Sequence, residues 1–144
     1  MTWSIENIDL KQANELASGM VKHLDITFTE VDKNGLTASM PVDDRTIQPF
    51  GVLHGGATAA LAETVGSFAS HLIVMSQGKT SIGMEINAQH LRSVRSGRVH
   101  AKAEPVHLGR KIHVWDIRVK DDDNRLIAIC KLTNMIIDKI ENGQ

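Results

Sequence analysis

Residues 55–75 keep a helical period while using almost nothing but small and apolar side chains, and this stretch constrains the fold more than any other. Ala57, Ala60, Leu61, Thr64, Val65, Phe68 and Leu72 share one face, and Gly56, Ala59, Glu63, Ser67 and Ser70 share another. A helix that is apolar or small nearly all round is a buried helix. Its many Gly, Ala and Ser residues let neighbouring backbone come close on several sides. The rest of the chain must therefore wrap around it.

The flanking sequence is strand-like. Leu24, Ile26 and Phe28 alternate with polar residues, as do Leu36, Ala38, Met40 and Val42, with the hairpin signal Asn34-Gly35 between them. Beyond the helix, Ile82, Met84, Ile86 and Ala88 alternate, and residues 98–107, 111–120 and 126–137 are rich in Val, Ile and Thr. Turn material separates them at Ser96-Gly97, Leu108-Gly109 and 121–124. A first amphipathic helix is expected over about 7–19, ended by Gly19, and a loop over 43–53 around Pro49 and Gly51. Short turns between successive long strands require a largely antiparallel sheet. The expected fold is α+β, one curved sheet wrapped around the 55–75 helix.

At 144 residues, with no composition break, the chain is expected to form one domain over 1–144. A net charge of −1 leaves no electrostatic footprint for nucleic acid or an anionic membrane. The single cysteine, Cys130, sits in an apolar run and reads as a small buried hydrophobe; one cysteine offers neither an intramolecular disulfide nor a zinc pattern. The first residues lack a basic segment followed by an apolar one, and no run is expected to be apolar enough to span a membrane. A soluble cytoplasmic protein is the expectation.

Glu63 is the anomaly: a carboxylate on a small-residue helix, with no Lys or Arg between Arg45 and Lys79 to neutralise it. A carboxylate so placed suits a general base or a nucleophile. Gly55 and Gly56 open the helix, where unpaired N–H groups and the positive dipole end could hold an oxyanion. His54 could polarise a carbonyl or cap the helix, and Gln48 could hold water or carbonyl without adding charge. Ser67, four residues past Glu63, lies on the same face. No Ser-His-Asp arrangement can be assigned. A second set comprises Asn87, Gln89, His90, Arg92, Ser93 and Arg95, with His107, Gly109, Arg110 and Lys111 at a later turn; its cations could meet phosphates. His23, His71, His100 and His113 show no metal-ligand spacing.

The run Gln48 to Ser67, with Met40-Pro41-Val42-Asp43, Glu85-Ile86-Asn87-Ala88, His90, Arg92-Ser93, Gly97-Arg98, His107-Leu108-Gly109 and Val114-Trp115, resembles the hotdog-fold acyl-CoA thioesterases, aromatic-acyl-CoA branch. The resemblance implies a homodimer joined sheet edge to sheet edge, usually doubled to a homotetramer, with the active site between subunits. It implies hydrolysis of aryl or medium-chain acyl-CoA without a cofactor. Glu63 would be nucleophile or general base, and the Gly55 amide the oxyanion donor. Gln48 and His54 would position thioester and water, Ser67 and His90 would hold the acyl group, and Arg92, Ser93, Gly109, Arg110 and Lys111 would lie near the CoA nucleotide. A hydroxyacyl-thioester dehydratase or isomerase using His54 and Glu63, and a non-catalytic acyl-CoA binding module, are the alternatives.

Overall fold

The structure, a computed structural model, describes residues 3–4 and 8–140. Two short helices, α1 (Leu10–Glu15) and α2 (Gly19–His23), precede the hairpin β1 (Thr27–Asp32) and β2 (Gly35–Pro41). The long helix α3 (Gly55–Val74) follows, continued by a 3-10 turn (Met75–Gln77), and then β3 (Lys79–His90), β4 (Arg98–Leu108), β5 (Ile112–Asp121) and β6 (Leu126–Asp138). The strands form one antiparallel sheet of six in the order β1-β2-β4-β5-β6-β3.

Alternation along the strands gives the sheet one apolar face, and α3 lies against it. Val99, Ala101 and Ala103 of β4, Trp115, Ile117 and Val119 of β5 and Leu132 of β6 are fully buried, as are Leu61, Ala62, Val65 and Ala69 of α3. Each large side chain in this set stabilises the fold by about 1.5–3 kcal/mol through burial. Gly66 is where helix and sheet come closest: a Cβ there would stand 2.6 Å from Leu132 Cδ2. Ser70, two turns beyond Glu63 on the same face, is fully buried, because the helix meets the sheet through the Ala62-Gly66-Ser70 side as well as through Leu61 and Val65.

The two sheet edges are treated differently. At β1 the Asn14 side chain acts as a one-residue strand: its Nδ2 donates to Phe28 O at 2.9 Å, and the Phe28 N–H donates to its Oδ1 at 2.8 Å. At the other edge β3, twelve residues long, pairs among the described residues only with β6. Ile82 and Met84 on it are 51% and 54% exposed. A long edge strand carrying exposed apolar residues is a template for pairing with another chain.

Two expectations are corrected. The N-terminal helix over 7–19 is two helices: α1 ends at Glu15 with Leu16 as its C-cap, and Gly19 begins α2 rather than ending a helix, its φ of +55° turning the chain between them. Residue Asn7 lies outside the described residues. The stretch Gly55–Gln77 is long and apolar enough to cross a membrane by length and composition, an 18-residue window in it having a mean hydropathy of 1.2. Its apolar character follows from its place against the sheet, which a core helix shares with a membrane span. Cys130 is 1% exposed, and burial pushes its thiol up to about 11.

Candidate active site

The loop before α3 is a compact turn in which Ile47 bridges Leu53 and the Gln48 N–H donates to Val52 O at 2.8 Å. The Gln48 side-chain oxygen accepts from the Phe50 N–H. Leu53 N–H donates to Val94 O at 2.7 Å and Arg95 reaches Phe50 O at 3.5 Å, so the segment holding Arg92 and Ser93 lies beside this loop.

At the start of α3, the first-turn N–H groups can be accounted for one by one. His54 caps the helix, its Nδ1 accepting from the Gly56 N–H at 2.8 Å. That bond makes Nδ1 the acceptor, so the proton of the neutral ring sits on Nε2 and projects outward. Ala57 and Thr58 both donate to His54 O. Gly55 is left: among the described residues its N–H has no protein acceptor. It stands at the positive end of a 20-residue helix. The His90 imidazole lies over it, and a Cβ at Gly55 would come 2.8 Å from His90 Nε2. Gln48, His54, Gly55 and His90 thus gather at one end of α3.

Glu63 and Ser67 do not join them. Eight residues of helix put Glu63 about 12 Å along the axis from Gly55. Glu63 is half-buried rather than buried, because it lines a groove instead of packing on the sheet. The groove, of about 1080 Å³, runs between α3 and the α1–α2 segment. Beyond Glu63 and Ser67 it passes Thr64, Phe68 and His71. Phe68 stacks on Phe28 with centroids 4.3 Å apart, giving the groove an aromatic wall. His71 faces Thr80 at 3.5 Å, and burial, with Lys139 adding to it, holds its pKa below the ordinary value. The Glu63 carboxylate lies directly over Gly83 of β3.

The later cations are not brought to the same place. His90 pairs with Ala128 of β6, whereas Ile112, after the Gly109-Arg110-Lys111 turn, pairs with Met135. The Arg92-Ser93 segment and that turn therefore lie near opposite ends of the sheet, about 23 Å of strand apart. Arg92, Ser93, Arg110 and Lys111 are all exposed. Among the described residues no three His, Cys, Asp or Glu side chains converge in a metal-holding group.

The sequence reading missed Gly83, Asn134 and the groove residues Phe28, Phe68, His71 and Thr80. Gly83 carried a usable signal, since a lone glycine inside a strand marks close approach of something else.

A curved antiparallel sheet around one long helix, with its candidate site at the helix start and along the helix flank, is the hotdog architecture. Residues 50–128 match the family model described as Thioesterase superfamily. The chain is 45% identical over 138 residues to the 1,4-dihydroxy-2-naphthoyl-CoA hydrolase of Escherichia coli, covering 95% of this chain and 100% of that protein. It is 48% identical over 118 residues to the proofreading thioesterase EntH of Klebsiella pneumoniae, covering 82% and 85%. The crystal structure of thioesterase HI1161 from Haemophilus influenzae superposes with a TM-score of 0.91 at 45% identity, covering 100% of both chains. The chain belongs to the thioesterase superfamily and is a thioester hydrolase.

Proposed function

We propose that the protein hydrolyses acyl-CoA thioesters with aryl or medium-chain acyl groups, and that the working unit is at least a homodimer. The observation that carries this reading is the Gly55 N–H, unpaired among the described residues at the head of α3. It suits the oxyanion of a thioester carbonyl going tetrahedral. Gln48 and His54, on the turn that leads into Gly55, would orient the thioester and water. A thiolate leaves without strong acid assistance, so one carboxylate and one oxyanion hole suffice, and no cofactor is required beyond the CoA of the substrate.

Glu63 is the carboxylate, as nucleophile or as general base on water. Since it stands about 12 Å from Gly55 in its own chain, the two serve one carbonyl when they come from different subunits. The β3 edge, unpaired among the described residues, would supply the joint: antiparallel pairing with a second β3 runs the His90 end of one strand toward the Gly83 region of the other. The groove beside Glu63 would take the acyl group. Its aromatic wall supports an aryl substrate, as does the naphthoyl-CoA named for the Escherichia coli relative. Arg92 and Ser93 beside one half-site, and Gly109, Arg110 and Lys111 at the far end of the sheet, would meet the CoA nucleotide from different subunits. Pairing of dimers into a homotetramer is part of the same proposal.

The test is thiol release from benzoyl-, hydroxynaphthoyl- and straight-chain CoA, followed with a chromogenic thiol reagent. Glu63→Ala should lower kcat by about 10²–10⁴-fold. Full activity in that variant would overturn the assignment.

A further inference from the structure

Residues 46–54, which lead into α3, form a small hairpin with its ends at Thr46 and His54. The His54 N–H donates to Thr46 O at 2.8 Å, Ile47 bridges Leu53, and the Gln48 N–H donates to Val52 O at 2.8 Å. Its tip turns through Gly51, whose φ is +79°. The two arms are anchored differently. The second arm is fixed to α3 by the His54 cap, and to the segment after β3 by the Leu53 N–H, which donates to Val94 O at 2.7 Å. The first arm, which carries Gln48, is tied to β2 by the side chain of Thr46.

Thr46 is 2% exposed. Its hydroxyl donates at 2.7 Å to the carbonyl of Pro41, the last residue of β2, and accepts from the Asp43 N–H at 3.1 Å. Asp43 O stands farther from the hydroxyl, at 3.4 Å, and already accepts from the N–H groups of Thr46 and Ile47. The single hydroxyl hydrogen therefore goes to Pro41. From β2 to the head of α3 the bonds run in one line, through the Thr46 hydroxyl and then through its carbonyl to His54. The neighbouring Asp43–Arg45 ion pair is solvent-exposed and joins this loop only to itself.

Gln48 takes its orientation from the arm it sits on. Its Oε1 accepts from the Phe50 N–H across the hairpin tip. A main-chain N–H can only donate, so the side-chain amide cannot be turned round, and Nε2 is the end left for a thioester carbonyl or a water. We propose that Thr46 is a positioning residue, its buried hydroxyl holding the Gln48 arm so that Gln48 Nε2 is presented at the head of α3. This rests on the thioesterase reading above. Without the hydroxyl, Pro41 O and the Asp43 N–H lose a buried partner, and the arm shifts to find others. Gln48 moves with it, while Gly55 and the His54 cap stay with the helix.

The experiment measures kcat and KM for benzoyl-CoA in the wild type, Thr46→Ser, Thr46→Val, Gln48→Ala and the Gln48→Ala/Thr46→Val double variant. Each rate is divided by the folded fraction read from circular dichroism, which removes a purely structural loss. Thr46→Val matches threonine in shape but can neither donate nor accept, and should lower kcat of the folded enzyme about tenfold or more, as displacement of an orienting group does. Its KM should stay within about threefold of wild type, because binding of the CoA moiety does not depend on the arm. Thr46→Ser keeps the hydroxyl and should restore kcat. In Gln48→Ala the added Thr46→Val should change kcat by less than about twofold, since the group it positions is gone. Thr46→Ala takes the place of Thr46→Val, with the same expectations, if the latter does not fold. Wild-type kcat in folded Thr46→Val, an equal loss in Thr46→Ser, or the same loss with and without Gln48 would overturn the inference while leaving thioester hydrolysis intact. Failure of the wild type to release thiol from benzoyl-, hydroxynaphthoyl- and straight-chain CoA would overturn the thioesterase reading and this inference with it.

Discussion

The Glu63 carboxylate occupies the space above Gly83 that any other residue would fill with its Cβ. The strand and the candidate catalytic group are thus matched to each other, although they lie twenty residues apart in sequence. Gly83→Ala should push the carboxylate off its position while leaving the sheet paired, because the atom displaced is the end of a flexible side chain. Misplacement of about 1 Å can cost 10²-fold in rate. A kcat lowered by about that factor, with a melting temperature within a few degrees of wild type, is the expected result; unchanged kcat would mean that Glu63 does not act from this position.

The separation of Gly55 from Glu63 predicts complementation between inactive subunits. Gly55→Val would bring new atoms against the His90 ring and block the oxyanion position, while Glu63→Ala removes the carboxylate. Each variant alone should be nearly inactive. After unfolding and refolding together, about half of the dimers should be mixed, each with one intact site of two, giving about a quarter of wild-type activity. No recovery on mixing would place both groups in one chain's site.

The sheet, the long helix and the glycine pair that opens it were legible because each writes a local pattern: period two, period 3.6, and Gly-Gly at a helix start. The break between α1 and α2 was not, since a glycine at the end of an apolar period reads the same whether it ends one helix or opens another. The burial of Ser70 was not legible, because a hydroxyl that bonds Trp115, Asn134 and His113 looks polar in sequence while behaving as core. Glu63 was expected to be buried because a helix pattern records apolar neighbours and not the groove that opens beside them. The separation of Arg92 from Lys111 follows from sheet order, which no local pattern carries.

His113 makes the fold sensitive to mild acid. It is fully buried, and burial pushes its pKa below the ordinary 6.5, although the Gly109 carbonyl pulls the other way. Below pH 6.5 the unfolded chain takes up a proton that the folded chain refuses, so stability falls as pH falls, by at most about 1.4 kcal/mol per pH unit. Half-buried His71, also lowered by burial, acts in the same direction. The lowered carboxylates act later: Asp32, held down by Lys102, and Asp122, held down by His100, lose their contribution only as pH falls below their ordinary 3.8. Melting temperature should therefore begin to drop between pH 7 and 5.5. His113→Gln should flatten that part of the curve, and an equally steep curve in the variant would remove His113 as its source.

Asn14 ties the outer wall of the groove to the sheet. Its amide closes both main-chain groups of Phe28, and the Phe28 ring stacks on Phe68 inside the groove. α1 has no buried residues of its own, so this two-point contact is a large part of what holds it in place. Asn14→Ala removes both bonds and leaves Phe28 to water at the strand edge. At about 1 kcal/mol for each bond, the melting temperature should fall by roughly 4–8 °C for a chain near this size. Asn14→Asp keeps an acceptor for the Phe28 N–H but gives its C=O no donor, and should lose about half as much. The loosened wall should raise KM for acyl groups long enough to reach Phe68 while leaving kcat for acetyl-CoA near the wild-type value. A uniform fall in kcat across all acyl lengths would instead mean that Asn14 acts on the chemistry and not on the wall.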